Sequence, residues 1–440
     1  MTSQTDVSVA SRTRRRIMVR IVPYITLLFM TAWLDRINVS YAALEMTKDL
    51  GFTAAIYGFG AGIFFLGYFL LEIPGTIIVE TWSARKWIAR IMISWGILAS
   101  LTGLVNTPKQ FYWIRFLLGL AEAGFYPGMI VYIGHWFPSK DRAKAIAIMT
   151  TGGSLSTILS APISGLLLGA NWFGLAGWRW LFILEGLPAI LLGIITIFYL
   201  TDRPQQAKWL LPEERDWITT ELEKEKQATH APHIKGIWSA LVQREVLLLS
   251  LIYFLMMISL YGLSFWLPTI VKKLSGLSNI QVALITVLPA ITSIIIRVIV
   301  SWSSDRTGER RYHTIGSLLV VSLAFLVSAA TQNYAAIVVI MFCAAQSGIT
   351  SSVPCFWPLA TRFLTGTAGA AAIGLINSIG NLGGFVGPYL VGYLKDTTNS
   401  FAGGMIFLAS TACAAAVLVW MIQPARKALI AIENPSVGPA

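Results

Sequence analysis

An arginine and a glutamate stand seven residues apart in an apolar segment of the chain. Arg115 and Glu122 lie within residues 113–128, WIRFLLGLAEAGFYPG. In a helix they would share one face, two turns and about 10 Å apart along the axis. A helix that crosses a bilayer retains such charges where they face a bundle interior or a water-filled cavity. Both are therefore candidate functional residues.

A second charged pair, Asp35 and Arg36, occurs in AWLDRINVSYAAL, with apolar sequence on both sides. Adjacent helical residues point about 100° apart, so the arginine can face a cavity while the carboxylate reaches a neighbouring helix. The alternative is a self-neutralising pair near a helix end.

These four side chains suit the binding of an anion and of protons. A guanidinium group stays charged and its planar fork binds a carboxylate bidentately. Apolar surroundings favour the protonated form of a carboxyl group, which can then exchange protons near neutrality. We predict that Arg36 and Arg115 hold an organic anion and that Asp35 and Glu122 carry protons.

Other polar residues in apolar segments give weaker signals. For Glu72 and Glu185, a structural partner or a buried neutral acid is at least as good an explanation as a role in transport. The sequence shows no zinc motif, hydrolase triad or ATP-binding loop, so we expect no metal, no cofactor and no enzymatic activity.

The composition indicates an integral membrane protein. Hydrophobic residues make up 55% of the 440 residues, mean hydropathy is +0.68, and 12% are charged, against about 25% in soluble domains. The apolar runs do not alternate with polar residues, so helices rather than strands are predicted. Twelve spans are predicted, near residues 20–44, 54–79, 87–106, 111–136, 143–170, 178–201, 246–271, 278–302, 313–331, 335–361, 367–394 and 401–423.

Basic residues concentrate in the N-terminal tail, the even-numbered connections and the C-terminal tail. By the positive-inside rule, both termini are predicted to be cytoplasmic. Much of the net charge of +12 is then a topology signal, and a nucleic-acid partner is not expected. The cluster at residues 12–16 is interpreted as a flank of the first span, or as a contact with anionic lipid.

A polar stretch divides the spans six plus six. The predicted organisation is a basic tail (1–19), a six-helix bundle (20–201), a cytoplasmic linker (202–244), a second six-helix bundle (245–423) and a cytoplasmic tail (424–440). Pro212, followed by acidic residues, predicts a short helix in the linker.

The two halves share a charge pattern after their second spans, which indicates an internal repeat. The pattern comprises Glu80, Arg85 and Lys86 in the first half, and Asp305, Arg310 and Arg311, together with Arg306, in the second. We interpret these loops as a cytoplasmic gate, the alternative being basic stop signals. Glycines four residues apart in spans two and eleven predict close helix packing; they are Gly58 and Gly62, Gly380 and Gly384, and Gly383 and Gly387.

With these residues in view, the chain resembles major facilitator superfamily transporters of the anion:cation symporter family, in the branch with tartrate, phthalate and hydroxyphenylacetate permeases. The resemblance covers nearly all of residues 34–404. The most specific segments are LDRINVSYAAL, YGFGAGIFFLGYFLLEIPG, ARKWIARIMISWG, RFLLGLAEAGFYPGMIVYIGHWFP, GWRWLFILEGLPA, SDRTGERRYH and NSIGNLGGFVGPYLVGYLKD.

The resemblance implies a major facilitator fold, in which two six-helix bundles enclose a central cavity. It also implies proton-coupled uptake of an organic carboxylate by alternating access. Among site residues it supports the two arginines and two acids, and it adds Tyr68, Trp357 and Asn377 as substrate-binding positions.

We therefore expect a secondary active symporter for a small carboxylate, such as a hydroxy acid, sugar acid or aromatic acid. An exchanger or exporter of the same fold is the nearest alternative, and a non-transporting receptor is a further one. The expected partners are the anion, protons and the lipid bilayer, and the expected form is a monomer in the bacterial inner membrane.

Overall fold

The structure of the chain is a computed structural model that describes residues 2–228, 243–361 and 366–422, most of which are α-helical. Among the described residues, ten helical segments are long and apolar enough to cross a membrane, with Pro108–Trp136 counted as one. The prediction of an all-α membrane protein is confirmed. The predicted tail at 424–440, and residues 229–242 of the predicted linker, lie outside the described residues.

The N-terminal half forms the first six predicted spans from seven helices, because the fourth span is divided. The helices are α1 (Thr2–Asp49), α2 (Ala54–Thr81), α3 (Ala84–Thr102), α4 (Pro108–Glu122), α5 (Phe125–Trp136), α6 (Ser139–Leu167) and α7 (Gly177–Tyr199). A small antiparallel hairpin of β1 (Asn171–Trp172) and β2 (Leu175–Ala176) connects α6 to α7.

The linker contains helix α8 (Pro212–Ala228), which begins at the predicted proline. In the described part of the C-terminal half the helices are α9 (Arg244–Ser275), α10 (Asn279–Thr307), α11 (Arg311–Ala330), α12 (Ala335–Thr361), α13 (Gly366–Asn381), α14 (Gly383–Thr398) and α15 (Ala402–Met421).

Two predicted spans are interrupted. The fourth ends its first segment at Glu122, and Gly124 then has a φ of 80°. A Cβ at Gly124 would lie 2.9 Å from the Cα of Gly75, so both the conformation and the packing require glycine. The eleventh span is interrupted at Leu382. This division, and the basic residues at the start of α3, account for ten candidate spans where twelve were predicted.

The predicted close packing at glycines is confirmed. Gly58 and Gly62 of α2 lie against the backbone of α14, and a Cβ on Gly62 would approach the carbonyl oxygen of Phe385 to 2.7 Å. Gly387 of α14 lies against α9, where a Cβ would be 2.5 Å from the carbonyl oxygen of Ile258. These contacts bring α14 against both α2 and α9.

The two halves are joined at the end that carries the odd-numbered loops. Hydrogen bonds that cross between them there include Tyr57 Oη to the Phe265 carbonyl (2.9 Å), Tyr41 Oη with Thr286 Oγ1 (3.0 Å) and Asn279 Nδ2 to Glu45 Oε1 (2.8 Å). The backbone N–H groups of Ala54 and Ala55 also donate to Asp396, at 3.1 and 2.7 Å. In the described part of the chain, the ion pairs at the opposite end lie within one half or connect the N-terminal half to the linker.

Helix α8 is held by the basic segment at the start of α1. Glu214, which is fully buried, accepts hydrogen bonds from Arg12 Nε at 3.0 Å and Arg16 Nη1 at 2.6 Å. Arg14 Nε donates to Asp141 Oδ2 of α6 at 2.5 Å. This part of the predicted basic tail therefore continues α1 as a helix and fixes the linker to the N-terminal half.

Candidate functional site

Arg36 of α1 contacts residues of three other helices. Its Nη2 forms an ion pair with Glu122, the last residue of α4. Its Nη1 lies 3.5 Å from the hydroxyl of Tyr261 on α9, and its guanidinium is 5.3 Å from the ring centroid of Tyr68. Arg36 thus connects the N-terminal half to the C-terminal half, and two predicted site residues, Glu122 and Tyr68, contact it directly.

Arg115 is buried and forms no ion pair with an acid among the described residues. It is 1% exposed, and its Nε and Nη2 have no hydrogen-bond partner among the described residues. Its guanidinium lies 5.2 Å from the ring centroid of Phe64, and that of Arg36 lies 5.4 Å from the same ring. The two arginines therefore flank one aromatic ring, and Arg115 has unused donors in a buried position where an anion would satisfy them.

Asp35 points away from its neighbour Arg36, as the helical angle between them predicts. Its carboxylate accepts hydrogen bonds from Trp95 Nε1 on α3 and from Asn38 Nδ2, the latter at 3.2 Å. Asp35 is 2% exposed. The two predicted proton carriers therefore differ: Glu122 faces an arginine, whereas Asp35 is held by neutral donors.

The three positions added by resemblance fall in different surroundings. Tyr68 lies beside Arg36, as described. Trp357 belongs to an aromatic cluster with Tyr253 and Phe356, at centroid distances of 5.1 and 5.7 Å. No contact described in the structure joins Trp357 to either arginine.

Asn377 is engaged with an acid that the sequence left ambiguous. Its Nδ2 donates to Glu72 Oε1 at 2.7 Å, and Ser378 Oγ donates to Glu72 Oε2 at 2.8 Å. Glu72 thus links α2 to α13 across the two halves, and the amide of Asn377 is occupied in this conformation.

The three charged residues of the first predicted gating loop contact different partners. Glu80 contacts His135 Nε2 at 2.7 Å and Arg203 Nη2 at 3.5 Å. Arg85 is fixed through its backbone N–H, which donates to Asp202 Oδ1 at 2.8 Å. Lys86 lies over the ring of Trp82, 5.8 Å from its centroid. None of these contacts joins Glu80 to either base.

The second gating loop forms an internal ion pair. Arg310 Nη2 lies 2.5 Å from Asp305 Oδ1. Arg311 donates to the backbone carbonyls of Val419 and Trp420 at the end of α15, where a cation complements the partial negative charge of the helix C-terminus. Arg306 lies over the ring of Trp302, 5.3 Å from its centroid. These contacts stay within the C-terminal half.

Four residues of the site were missed or undervalued from sequence. Phe64 and Tyr261 are aromatic residues in apolar helices, and Trp95 is one of 16 tryptophans, so nothing in their types distinguished them. Glu72 was noticed as a buried acid, and its partners became visible only in the folded chain. Among the described residues, no group of three or more His, Cys, Asp or Glu side chains is arranged to hold a metal ion.

Comparison with known proteins agrees with this architecture. A family model described as Major Facilitator Superfamily matches residues 25–388. An Agrobacterium vitis protein named "Putative tartrate transporter" is 46% identical over 94% of this chain and 95% of its own length. The "Quinolone resistance transporter" of Acinetobacter baumannii is 39% identical over 93% of this chain and 94% of its own.

Among solved structures, a bacterial homolog of the human lysosomal transporter Spinster, in an inward-facing and unoccupied conformation, has a TM-score of 0.72. It is 17% identical, and the match covers 92% of this chain and 95% of that chain. At this identity the similarity is evidence for the fold alone.

Proposed function

Since the chain belongs to the major facilitator superfamily, and is thus a membrane transport protein for a small organic substrate, we propose that it carries a small organic carboxylate together with a proton. In this proposal Arg115 and Arg36 bind the carboxylate, and Glu122 and Asp35 bind protons. Tyr68, Trp357 and Asn377 contact the rest of the substrate.

The observation that carries the anion assignment is the unpaired state of Arg115. Burial of a guanidinium group with unused donors is costly, because those donors have left water without gaining an acceptor. A carboxylate offers two acceptor oxygens in the geometry of the guanidinium fork. Binding of such an anion would satisfy Nε and Nη2 together.

The ion pair between Arg36 and Glu122 supports a link between proton and anion. While Glu122 is ionised, it occupies Arg36 and competes with the substrate for that guanidinium. A proton on Glu122 removes the competing charge and leaves Arg36 available to the anion. Each ligand then favours the binding of the other, as thermodynamic linkage requires for a symporter.

The conformational cycle in this proposal is alternating access between the two halves. The termini are cytoplasmic, the protein is a monomer in the inner membrane, and the loops with Glu80, Arg85 and Lys86, and with Asp305, Arg306, Arg310 and Arg311, form the cytoplasmic gate. The present contacts at the odd-loop end then correspond to a state closed to the outside.

An exporter or exchanger is the second candidate, and the named quinolone resistance relative is the observation in its favour. The arginine pair serves an anion in either direction of transport. The direction is decided by whether an imposed proton gradient drives accumulation or extrusion.

The substrate class is tested by thermal unfolding of the purified protein across a panel of hydroxy, sugar, aromatic and heterocyclic acids, each matched with its amide. A carboxylate that raises the melting temperature should do so for the wild type and much less for Arg115→Ala, while its amide has little effect. Equal stabilisation by an acid and its amide, or by both proteins, would contradict the anion assignment.

A further inference from the structure

A row of buried polar side chains lies on the other side of α1 from Arg36. It runs from Asp35 through Asn38 to Glu185 on α7 and Ser164 on α6. These four residues are exposed by 2%, 1%, 4% and 0%. Of these four residues, the proposed site includes Asp35 alone, so the burial of the other three polar side chains requires its own explanation.

The two carboxyl groups in this row differ in the number of hydrogen-bond donors that contact them. Asp35 has a donor for each oxygen, from Trp95 and Asn38. Glu185 Oε1 accepts from Ser164 Oγ at 2.8 Å, but Glu185 Oε2 has no partner among the described residues. Asn38 Oδ1 also has none, and the Asn38 amide is a polar neighbour of Glu185. Each of these two buried oxygens thus lacks a hydrogen-bond partner among the described residues.

We propose that Glu185 is a proton-binding site, in which the carboxylic acid donates from Oε2 to Asn38 Oδ1. A single hydrogen atom satisfies both orphaned oxygens and removes an uncompensated charge from the bundle interior. The titratable groups that face Glu185 are Asp35 and the Tyr41 hydroxyl, which bonds to Thr286 of α10. In the described part of the chain Glu185 takes part in no ion pair, so no cation replaces the proton.

The amide of Asn38 couples this proton to Asp35. As oriented here, Nδ2 donates to Asp35, which is the ionised partner, and Oδ1 accepts from Glu185. Rotation of the amide by half a turn reverses the roles, so that Nδ2 donates to Glu185 and Oδ1 accepts from a protonated Asp35. Either orientation places one proton on the pair, because the amide offers a donor to one carboxyl group and an acceptor to the other.

The position of Glu185 gives this coupling a direction. Along α1, Asn38 lies three residues, about 4.5 Å, from Asp35 towards the end with the odd-numbered loops. With the orientation proposed above, that end faces outside, so Glu185 would receive a proton before Asp35 does. This role rests on the proposed proton coupling, whereas the proton site itself rests on the two buried oxygens that lack hydrogen-bond partners.

Infrared spectroscopy of the full-length protein in lipid, without substrate or gradient, tests the site through the carbonyl stretch of protonated carboxylic acids. At neutral pH the wild type should show this band, and Glu185→Gln should lose intensity equal to one group. Glu72→Gln is the matched control, since both oxygens of Glu72 already have donors, and should leave the band unchanged. An unchanged band in Glu185→Gln, or its absence from the wild type, would overturn the inference in favour of an ionised carboxylate contacting water.

Ser164→Ala provides a second measurement if Glu185→Gln does not fold. It removes the hydrogen bond to Oε1, so the band assigned to Glu185 should move in frequency without losing intensity; a fixed frequency would contradict the assignment. Uptake measured on the same preparations separates the two proposals. If the Glu185 band is present but transport does not depend on the pH gradient, the proposed proton coupling is refuted and the proton site is retained. If transport depends on the gradient but the Glu185 band is absent, the proton site alone is refuted.

Discussion

Glu122, the last residue of α4, forms its ion pair with Arg36 of α1, 86 residues away, and not with Arg115 on its own helix. The two arginines are therefore inequivalent. Arg36 has an acid that can release it, and Arg115 has two nitrogens without acceptors. This difference gives each residue of the proposed site a separate experimental signature.

Glu122→Gln should remove the pH dependence of anion binding. In the wild type, affinity should rise as the pH falls, because protonation of Glu122 releases Arg36 to the substrate. The glutamine is permanently neutral, so its affinity should equal the low-pH affinity of the wild type at every pH. Titration calorimetry at a series of pH values measures this, and a variant that keeps the wild-type pH profile would assign the coupling to another group.

Arg115→Lys should weaken carboxylate binding although it retains the charge. The ammonium group lacks the planar fork, and the loss of a charge-assisted hydrogen bond corresponds to about 1.5–3 kcal/mol, or roughly ten- to a hundredfold in Kd. Arg179→Lys is a suitable control, since Arg179 stacks on Trp178 at 4.2 Å from its centroid and donates to the loop at residues 103–106, outside the proposed site. Near-normal affinity in Arg115→Lys would argue against bidentate recognition.

Gly58→Ala should destabilise the protein through the contact between α2 and α14. The added Cβ would overlap the carbonyl oxygen of Pro388, and overpacking of this kind costs about 1–3 kcal/mol. Gly134→Ala is the matched control, because no atom lies within 4 Å of its Cβ position and alanine favours the helix. Thermal unfolding should show a lower melting temperature for the first variant only; equal melting temperatures would exclude tight packing at Gly58.

Asn377→Ala should destabilise the conformation in which the halves meet through Glu72. The substitution leaves Glu72 Oε1 without its donor, at a cost of about 1–3 kcal/mol for a buried acceptor. Ser378→Ala removes the donor to the other oxygen and should have a similar effect on thermal stability. If Asn377 also contacts substrate, only its own replacement should reduce affinity. A loss of affinity of equal size in both variants would remove the proposed substrate role of Asn377.

The sequence indicated which charged residues lie inside the bundle better than it indicated what they contact. The charges in apolar segments identified Asp35, Arg36, Arg115 and Glu122, and the helical angle predicted that Asp35 would reach a neighbouring helix, as it does with Trp95. The pairing of Arg36 with Glu122 depends on how α1 and α4 are placed in the folded bundle, which local spacing does not encode.

The gating loop shows the same limit. Glu80 was grouped with Arg85 and Lys86 because they are close in sequence, yet it contacts His135 and Arg203, which the fold brings to the same end.

The break after Glu122 was also missed, because apolar residues continue through it and Gly124 alone marks the change of direction.

The central claim, that a proton on Glu122 enables anion transport through Arg36 and Arg115, is tested most directly by uptake into proteoliposomes under an imposed pH gradient, alkaline inside. If one proton is carried with each monovalent carboxylate, the ratio of internal to external carboxylate should rise about tenfold for each pH unit of gradient. The wild type should show this accumulation, and Glu122→Gln should exchange substrate without accumulating it. Accumulation by Glu122→Gln equal to that of the wild type, or wild-type uptake insensitive to the gradient, would contradict the account.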